Sequence, residues 1–232
     1  MIREIVLDTE TTGLDPATGD RIVEIGAVEL VNHIPTGNVY HQYINPERDM
    51  PQEAFNVHGL SAEFLANHPV FEAVVDAFLE FIADGVLVIH NAQFDMKFIN
   101  AELSLINRPM LPMERVIDSL ALARKRHPMG PNSLDALCRR YGIDNSKRDK
   151  HGALLDSELL ADVYIELIGG RQTAFSLTEV RETRTVRQVR SPTHARSRPD
   201  PLPSRLSEQE IRSHAEMIVR LGDKALWRAT RS

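Results

Sequence analysis

The first part of the chain alternates apolar and polar positions in the manner of strands. Three segments, residues 2–7, 21–31 and 39–44, are rich in β-branched and aromatic residues, and turns rich in glycine, proline and asparagine separate them. Short runs of this kind, bounded by such turns, are typical of strands that follow one another in a meander. The pattern therefore predicts three consecutive strands at the start of a sheet.

From residue 71 onward the apolar positions recur at helical spacing, interrupted by two short apolar runs. The runs Val86 to Ile89 and Val116-Ile117 are β-branched and brief, which favours buried strands. Strands followed by alternating helices and strands indicate an α/β fold with a mixed central sheet flanked by helices. The periodicity predicts helices at about 71–82, 94–106, 119–126, 133–141 and 153–168.

The apolar periodicity stops after the first 170 residues and returns near the C-terminus. Residues 178–205 are dominated by Ser, Thr, Pro and Arg, which predicts a flexible linker. Ser207 and Glu210 have the spacing of a capping box, and an apolar helical face with Trp227 beside it follows. Residues 206–232 are too few to form their own core, so we expect them to dock on a partner or on residues 1–170.

Composition bounds the class of protein. The 232 residues, 42% of them hydrophobic, suffice for one sizeable core with an extension. A single cysteine, Cys138, excludes a disulfide framework and a cysteine metal cluster, and its apolar neighbours predict a buried thiol. The N-terminus reaches Asp8 too early for a signal peptide, and no apolar run approaches the roughly 18 residues of a membrane span. We expect a soluble cytoplasmic protein.

The charge is distributed unevenly along the chain. The net charge is −6, but residues 1–170 contain 26 acidic and 14 basic side chains, whereas residues 171–205 contain eight arginines and three acids. An acidic protein that binds a polyanion must neutralise its own carboxylates, and bound cations are the simplest means. The arginines of the linker would contact DNA or keep the segment solvated.

Two carboxylates at the end of the first predicted strand are candidates for metal ligands. Asp8 and Glu10 lie two positions apart, so they share a face of the strand. They would either form an ordinary charged strand end or coordinate hard cations such as Mg²⁺ or Mn²⁺, which prefer oxygen ligands. The second interpretation requires further acids to converge on them.

Two later acids and a histidine could complete such a cluster. Asp95 lies near the start of a predicted helix, where a carboxylate also stabilises the helix N-terminus. Asp156 lies inside the last predicted helix of residues 1–170, where it could be a solvated charge. His151, five positions earlier, would be about 140° away on that helix, so we place it on the preceding loop.

Three segments together resemble the exonuclease motifs of the DEDDh family, which has a ribonuclease H-like fold. They are Asp8 to Gly13 (DTETTG), His90 to Asp95 (HNAQFD), and His151 with Asp156. Within the family, residues 1–170 are most similar to the proofreading subunits of bacterial DNA polymerase III, with further likeness at 19–28, 56–60 and 132–138. The resemblance implies a 3′→5′ exonuclease that releases 5′-mononucleotides from DNA.

The resemblance also implies roles for single residues. Asp8 would bridge two divalent metal ions, Glu10 and Asp156 would hold one of them, Asp95 would support the other, and His151 would be the general base. Thr11, His58 and Phe94 match positions that grip the terminal nucleotide, although ordinary turn and core roles are equally open for His58 and Phe94.

Two segments outside the exonuclease motifs suggest partners. Gln172 to Leu177 resembles short peptides that bind bacterial sliding clamps, a pattern that also arises by chance. Residues 206–232 would dock on the catalytic (alpha) subunit of the polymerase, as the corresponding tails in the family do.

Other functions fit the sequence less well. The haloacid-dehalogenase phosphatases also open with an acidic pair, but they use two aspartates, whereas the second acid here is Glu10. A catalytically inactive binding module would have lost a metal ligand, and all are present. A free-standing exonuclease that trims RNA or DNA ends is the main alternative.

Overall fold

The computed structural model describes residues 1–146, 150–169 and 206–222. Contacts divide the chain into two compact units, 1–177 and 178–232. In the first unit, five strands form one mixed sheet in the order β3-β2-β1-β4-β5. The strands β1, β2 and β3 pair antiparallel, and β4 joins β1 and β5 in parallel. The strands are β1 Arg3–Thr11, β2 Ile22–Val31, β3 Ile34–Tyr43, β4 Val86–Ile89 and β5 Val116–Asp118.

The described residues contain eight α-helices. All five predicted helices are present, and the mixed sheet confirms the predicted α/β fold with a meander at its start. Helices α1 and α2 were not predicted because both are too short to display an apolar period. The helices are α1 Gln52–His58, α2 Ala62–Leu65, α3 Phe71–Ile82, α4 Ala92–Leu105, α5 Ser119–Arg126, α6 Leu134–Tyr141, α7 Ala153–Leu167 and α8 Glu208–Leu221.

The sheet buries both of its faces, because side chains alternate along the central strand β1. Ile5 and Leu7 pack against α3 and α4 on one face, while Val6 packs against α6 and α7 on the other. Cys138 lies fully buried in the second cluster, as predicted. The two covered faces fix β1 in place, so side chains at its C-terminal end have a rigid support.

Helix α7 lies unusually close to the sheet at Gly26 of β2. A Cβ atom at Gly26 would collide with the backbone of Ala153 and Leu154, so only glycine permits this approach. The Ser157 hydroxyl donates to the Gly26 carbonyl over 2.8 Å, which fixes the contact. The first turn of α7 is thereby held beside the neighbouring strand β1.

The second unit is described only at 206–222, where α8 lies. Ser207 and Glu210 form the predicted capping box, and the apolar side chains of Ile211, Met217 and Val219 are exposed. The predicted clamp peptide at 172–177, the linker at 178–205 and Trp227 lie outside the described residues. Among the described helices, none has the length and apolar character that crossing a bilayer requires.

Candidate active site

Asp8 and Glu10 lie within β1, which runs on to Thr11. Both line a cavity at the C-terminal end of the strand. Glu10 is largely buried, with 8% of its surface exposed, because β2 and the start of α7 flank this part of β1. The two carboxylates therefore face the same cavity, as the period of the strand predicts.

Asp95 enters the cavity from the first turn of α4. The helix begins soon after β4 because Asn91 takes a left-handed backbone conformation, with φ 69°. One carboxylate oxygen of Asp95 accepts two hydrogen bonds from Thr9, from the backbone N–H at 3.0 Å and from the hydroxyl at 2.7 Å. Burial raises the pKa of Asp95 to about 7, against its ordinary 3.8.

Asp156 lies in the first turn of α7 and is 3% exposed. His151 precedes the helix, as predicted, and its Nδ1 lies 3.2 Å from Oδ2 of Asp156. The backbone N–H of His151 donates to the Val57 carbonyl over 3.3 Å, and the ammonium of Lys150 lies 4.9 Å from the centre of the Phe55 ring. The segment that carries His151 is thus anchored on α1.

All five predicted catalytic residues line this one cavity: Asp8, Glu10, Asp95, His151 and Asp156. Potential ligand atoms of Glu10, His151 and Asp156 all lie within 4.8 Å of one another. Gathered carboxylates repel one another unless a cation lies between them, and hard divalent cations prefer oxygen ligands. The side chains therefore fit a divalent-metal site.

A second cavity, of about 440 Å³, adjoins the first and contains Thr11, His58 and Phe94. Thr9, Glu10 and Phe94 line both cavities. The three residues predicted to contact a nucleotide therefore lie together, beside the carboxylates. The volume falls within the range of roughly 300–1,000 Å³ that is usual for small-molecule sites.

His58 presents a hydrogen-bond donor in the second cavity. It ends α1 rather than lying in a turn, and its Nδ1 accepts a hydrogen bond from the Leu60 N–H at 3.0 Å. Burial lowers the pKa of His58, which favours a neutral ring with its proton on Nε2. That Nε2 is buried and makes no well-formed hydrogen bond among the described residues, although the Thr11 backbone lies near enough to favour the protonated ring. A bound ligand could satisfy it.

His90 is a further residue of the site that the sequence indicated only as part of a motif. Its Nε2 lies 2.9 Å from the Asn132 carbonyl, so it must donate there, and its Nδ1 lies 2.9 Å from the Ser119 hydroxyl. His90 thereby ties the end of β4 to the segment before α6, which forms a wall of the first cavity through Ser133, Leu134 and Asp135.

Comparison with known proteins places this geometry among nucleases. The family described as Exonuclease (RNase_T) matches residues 5–164. The DNA polymerase III subunit epsilon of Rickettsia conorii is 49% identical over 226 residues, covering 95% of this chain and 96% of that protein. The Escherichia coli K12 protein of the same name is 44% identical, covering 98% of each chain.

Solved structures with the same fold are also exonucleases. Exonuclease X in complex with 5′ overhanging duplex DNA has a TM-score of 0.57 at 26% identity and covers 73% of this chain and 92% of its own. A structure of exonuclease I has a TM-score of 0.65 at 17% identity, covering 74% of this chain and 42% of its own, and shows likeness of fold alone.

Proposed function

The chain belongs to the RNase_T family of exonucleases, and from this membership we propose that it is the proofreading subunit of a bacterial DNA polymerase III. Its likeness to epsilon subunits extends over nearly the whole chain. It is a 3′→5′ exonuclease that depends on divalent metal ions and acts on DNA in partnership with a polymerase. The convergence of Asp8, Glu10, Asp95, Asp156 and His151 on one cavity supports this assignment most directly.

We assign metal binding to the four carboxylates. Asp8 would bridge two ions, Glu10 and Asp156 would hold one of them, and Asp95 would support the other, with Mg²⁺ or Mn²⁺ as the ions. When bound, such a pair stabilises the charge that develops on the attacking and leaving oxygens of a phosphodiester. Thr9 fixes the orientation of Asp95, because it donates two hydrogen bonds to one carboxylate oxygen.

His151 would act as the general base. With Nδ1 3.2 Å from the Asp156 carboxylate, the neutral ring carries its proton on Nδ1, because a carboxylate accepts hydrogen bonds. This leaves Nε2 as the basic atom, which would take the proton of the attacking water. A positioned general base typically contributes ~10²–10⁴ to the rate.

The second cavity would hold the terminal nucleotide. Phe94 would stack on the base, an interaction of roughly 1–3 kcal/mol that tolerates all four bases. His58 would donate from Nε2 to an oxygen of the nucleotide, which would satisfy its buried N–H. Thr11, whose hydroxyl donates to the Gly13 carbonyl at 2.6 Å, would form another part of the wall.

A test of the activity uses a primer–template labelled at the 5′ end of the primer. With Mg²⁺ or Mn²⁺ we expect shortening by single nucleotides from the 3′ end, release of 5′-mononucleotides, and faster removal of a mispaired end. A chelator should stop the reaction. Release of oligonucleotides, or shortening from the 5′ end, would contradict the proposed activity.

The tail of the chain would join the exonuclease to its polymerase. Residues 206–232 would contact the catalytic (alpha) subunit, supported by the exposed apolar residues of α8, and Gln172 to Leu177 would bind the sliding clamp. We expect deletion of 206–232 to abolish co-elution with the polymerase subunit in gel filtration but to spare hydrolysis of free oligonucleotides. A truncated chain that co-elutes like the full chain would show that the tail is not the docking element.

A further inference from the structure

Most basic side chains of this acidic unit already have partners. Among the described residues up to 169, Arg3, Arg21, Arg48, Lys97 and Arg108 form ion pairs with carboxylates. Arg115, Arg126 and Lys150 contact backbone carbonyls. Within the same described residues, no carboxylate or backbone carbonyl pairs with Arg124, Lys125, Arg139 or Arg140. These four cations lie in the last turns of α5 and α6 and are exposed.

The segment between α5 and α6 is held in a defined conformation. The side-chain amide of Asn132 donates to the carbonyls of His127 and Gly130, at 3.1 and 3.0 Å. The Asn132 carbonyl in turn accepts from His90, 2.9 Å away. Arg140 folds back over Gly130 and lies 3.4 Å from the Asn132 side-chain oxygen. A rigid segment therefore fixes Arg140 beside the residue that contacts His90.

Arg124 lies in the last turn of α5, and the ends of α5 and α6 are in contact, because Nε2 of His127 lies 2.7 Å from the hydroxyl of Tyr141. Burial lowers the pKa of His90, and the charges of Asp118 and Arg124 also act on it, Arg124 in the lowering direction. His90 itself lines the cavity of the carboxylates. We call the surface of Arg124, Lys125, Arg139 and Arg140 the basic ledge. It adjoins the wall of the cavity through His90 and Asn132.

The position of the ledge follows the expected course of a DNA strand. Thr11 and His58 line the second cavity but not the first, whereas His90 and Ser133 line the cavity of the carboxylates but not the second. A strand with its last nucleotide in the second cavity and its scissile phosphate over the carboxylates would continue past His90 and Ser133 if it leaves the site on the side away from Thr11 and His58. Phosphates upstream of the cleaved bond would then reach Arg124 and Arg140.

We propose that the basic ledge binds phosphates of the DNA strand upstream of the cleaved nucleotide, a role that depends on the proposed exonuclease function. Residues 1–170 carry a balance of −12, so exposed cations without carboxylate partners are the favourable places for a polyanion among the described residues. Basic residues in a last helical turn also interact with the helix dipole, but this stabilises a helix end without fixing Arg140 against Asn132. Arginine pairs well with phosphate.

Salt-dependent binding tests the ledge directly. The full chain in EDTA is titrated with a fluorescent oligothymidylate of about twelve nucleotides at increasing salt. For single strands each phosphate contact contributes about −0.7 to the slope of log K against log salt. We therefore expect Arg124→Gln/Arg140→Gln to reduce the slope by about 1.4 and the affinity by on the order of tenfold. Gly130→Ala, which displaces the Arg140 guanidinium, should have a smaller effect of the same sign.

Arg108→Gln is the control for the loss of an exposed arginine outside the ledge. Arg108 is also an exposed arginine, but it pairs with Asp76 and follows the C-terminal end of α4. From Asp95 to the end of that helix at Leu105 the rise is about 15 Å, and Arg108 lies beyond this end. The slope and affinity of Arg108→Gln should equal those of the wild type.

Hydrolysis of two substrates separates binding from catalysis. With Mg²⁺, the double variant should lose about tenfold more kcat/KM on the oligothymidylate than on the p-nitrophenyl ester of thymidine 5′-monophosphate, which is too short to reach the ledge. Equal losses of kcat/KM on both substrates would overturn the proposal. An unchanged salt slope and affinity for the oligothymidylate would also overturn it. A wild type that hydrolyses neither substrate would refute the proposed function, while the titration in EDTA would still judge the ledge.

Discussion

Asp95 and Glu102 lie on the same helix, α4, and each is only 3% exposed. Glu102 accepts hydrogen bonds from both Nε and Nη2 of Arg21 at 2.8 Å, and from the Ile22 N–H at 3.2 Å. Asp95 instead accepts from the uncharged groups of Thr9 and faces a cavity lined by other acids. Near the C-terminal end of α4 the protein itself supplies a cation, Arg21, to Glu102. At the N-terminal end, Asp95 lies among other carboxylates, which need a cation from solution.

The same contrast distinguishes other buried acids from those of the cavity. Glu29 is 9% exposed and accepts hydrogen bonds from Thr36, Asn38 and Arg3, which hold its pKa below the ordinary value. Burial instead raises the pKa of Asp95 to about 7. Burial alone therefore does not mark a functional acid, because it must be judged together with the number and charge of the hydrogen-bond donors that the carboxylate contacts.

The largest effect is expected from Asp156→Ala and Asp8→Ala. Each removes a proposed metal ligand but little packing, so nuclease activity should fall by more than about a thousandfold, since metal ions contribute several kcal/mol to such transition states. Glu158→Ala is the control, because Glu158 is an exposed acid on the same helix as Asp156. Release of nucleotides from single-stranded DNA measures the activity. If either variant were as active as the control, the assignment of Asp8 and Asp156 as metal ligands would be wrong.

His151→Ala should slow turnover by ~10²–10⁴-fold, the usual contribution of a general base. Metal binding, followed by calorimetric titration, should be nearly unchanged. The titration distinguishes a general base from a metal ligand, because His151 lies close enough to Glu10 and Asp156 to be a metal ligand itself. A large loss of metal affinity in the variant would assign His151 to the metal site instead of to proton transfer.

Asp95→Asn should change the pH dependence of stability in the metal-free protein. The folded pKa of about 7 exceeds the ordinary 3.8, so the folded state binds the proton more tightly and stability falls as pH rises between these values. The ionised Asp95 would lower the free energy of unfolding of the metal-free protein by up to about 4 kcal/mol at pH 8. The variant should therefore be more stable than the wild type at pH 8 and similar at low pH.

Thermal unfolding in EDTA across this pH range measures the effect. Added Mg²⁺ at pH 8 should stabilise the wild type more than Asp95→Asn, because only the wild type gains a counter-charge for that carboxylate. If the metal-free wild type instead became more stable as the pH rises through this range, burial would not raise the pKa of Asp95 as argued.

The sequence predicted the long elements and the members of the site, because both leave local signals. The period of Phe71 to Ile82 matches α3, and the resemblance to the DEDDh motifs pointed to five residues that all line one cavity. Contacts between distant residues leave no such signal. The approach of α7 to Gly26 and the bond between His90 and Asn132, 42 positions apart, required the folded chain. The arginines of α5 and α6 are visible in the sequence, but their lack of carboxylate partners among the described residues is not.

The smallest effect is expected at the other end of α4. Glu102→Gln keeps the shape of the side chain but removes the charge that Arg21 contacts, and it turns one acceptor into a donor that faces the guanidinium. We expect a loss of about 2 kcal/mol in the free energy of unfolding, below the 3–5 kcal/mol of fully buried pairs because the Arg21 side chain is 25% exposed.

Asp76→Asn is the control. Its pair with Arg108 is exposed, so its loss should cost at most about 1 kcal/mol. Both variants should retain the kcat of the wild type at a temperature where they are folded. A Glu102→Gln protein that is fully stable but catalytically impaired would show that this end of α4 also controls the position of Asp95, and the division between a structural and a functional acid on one helix would then be wrong.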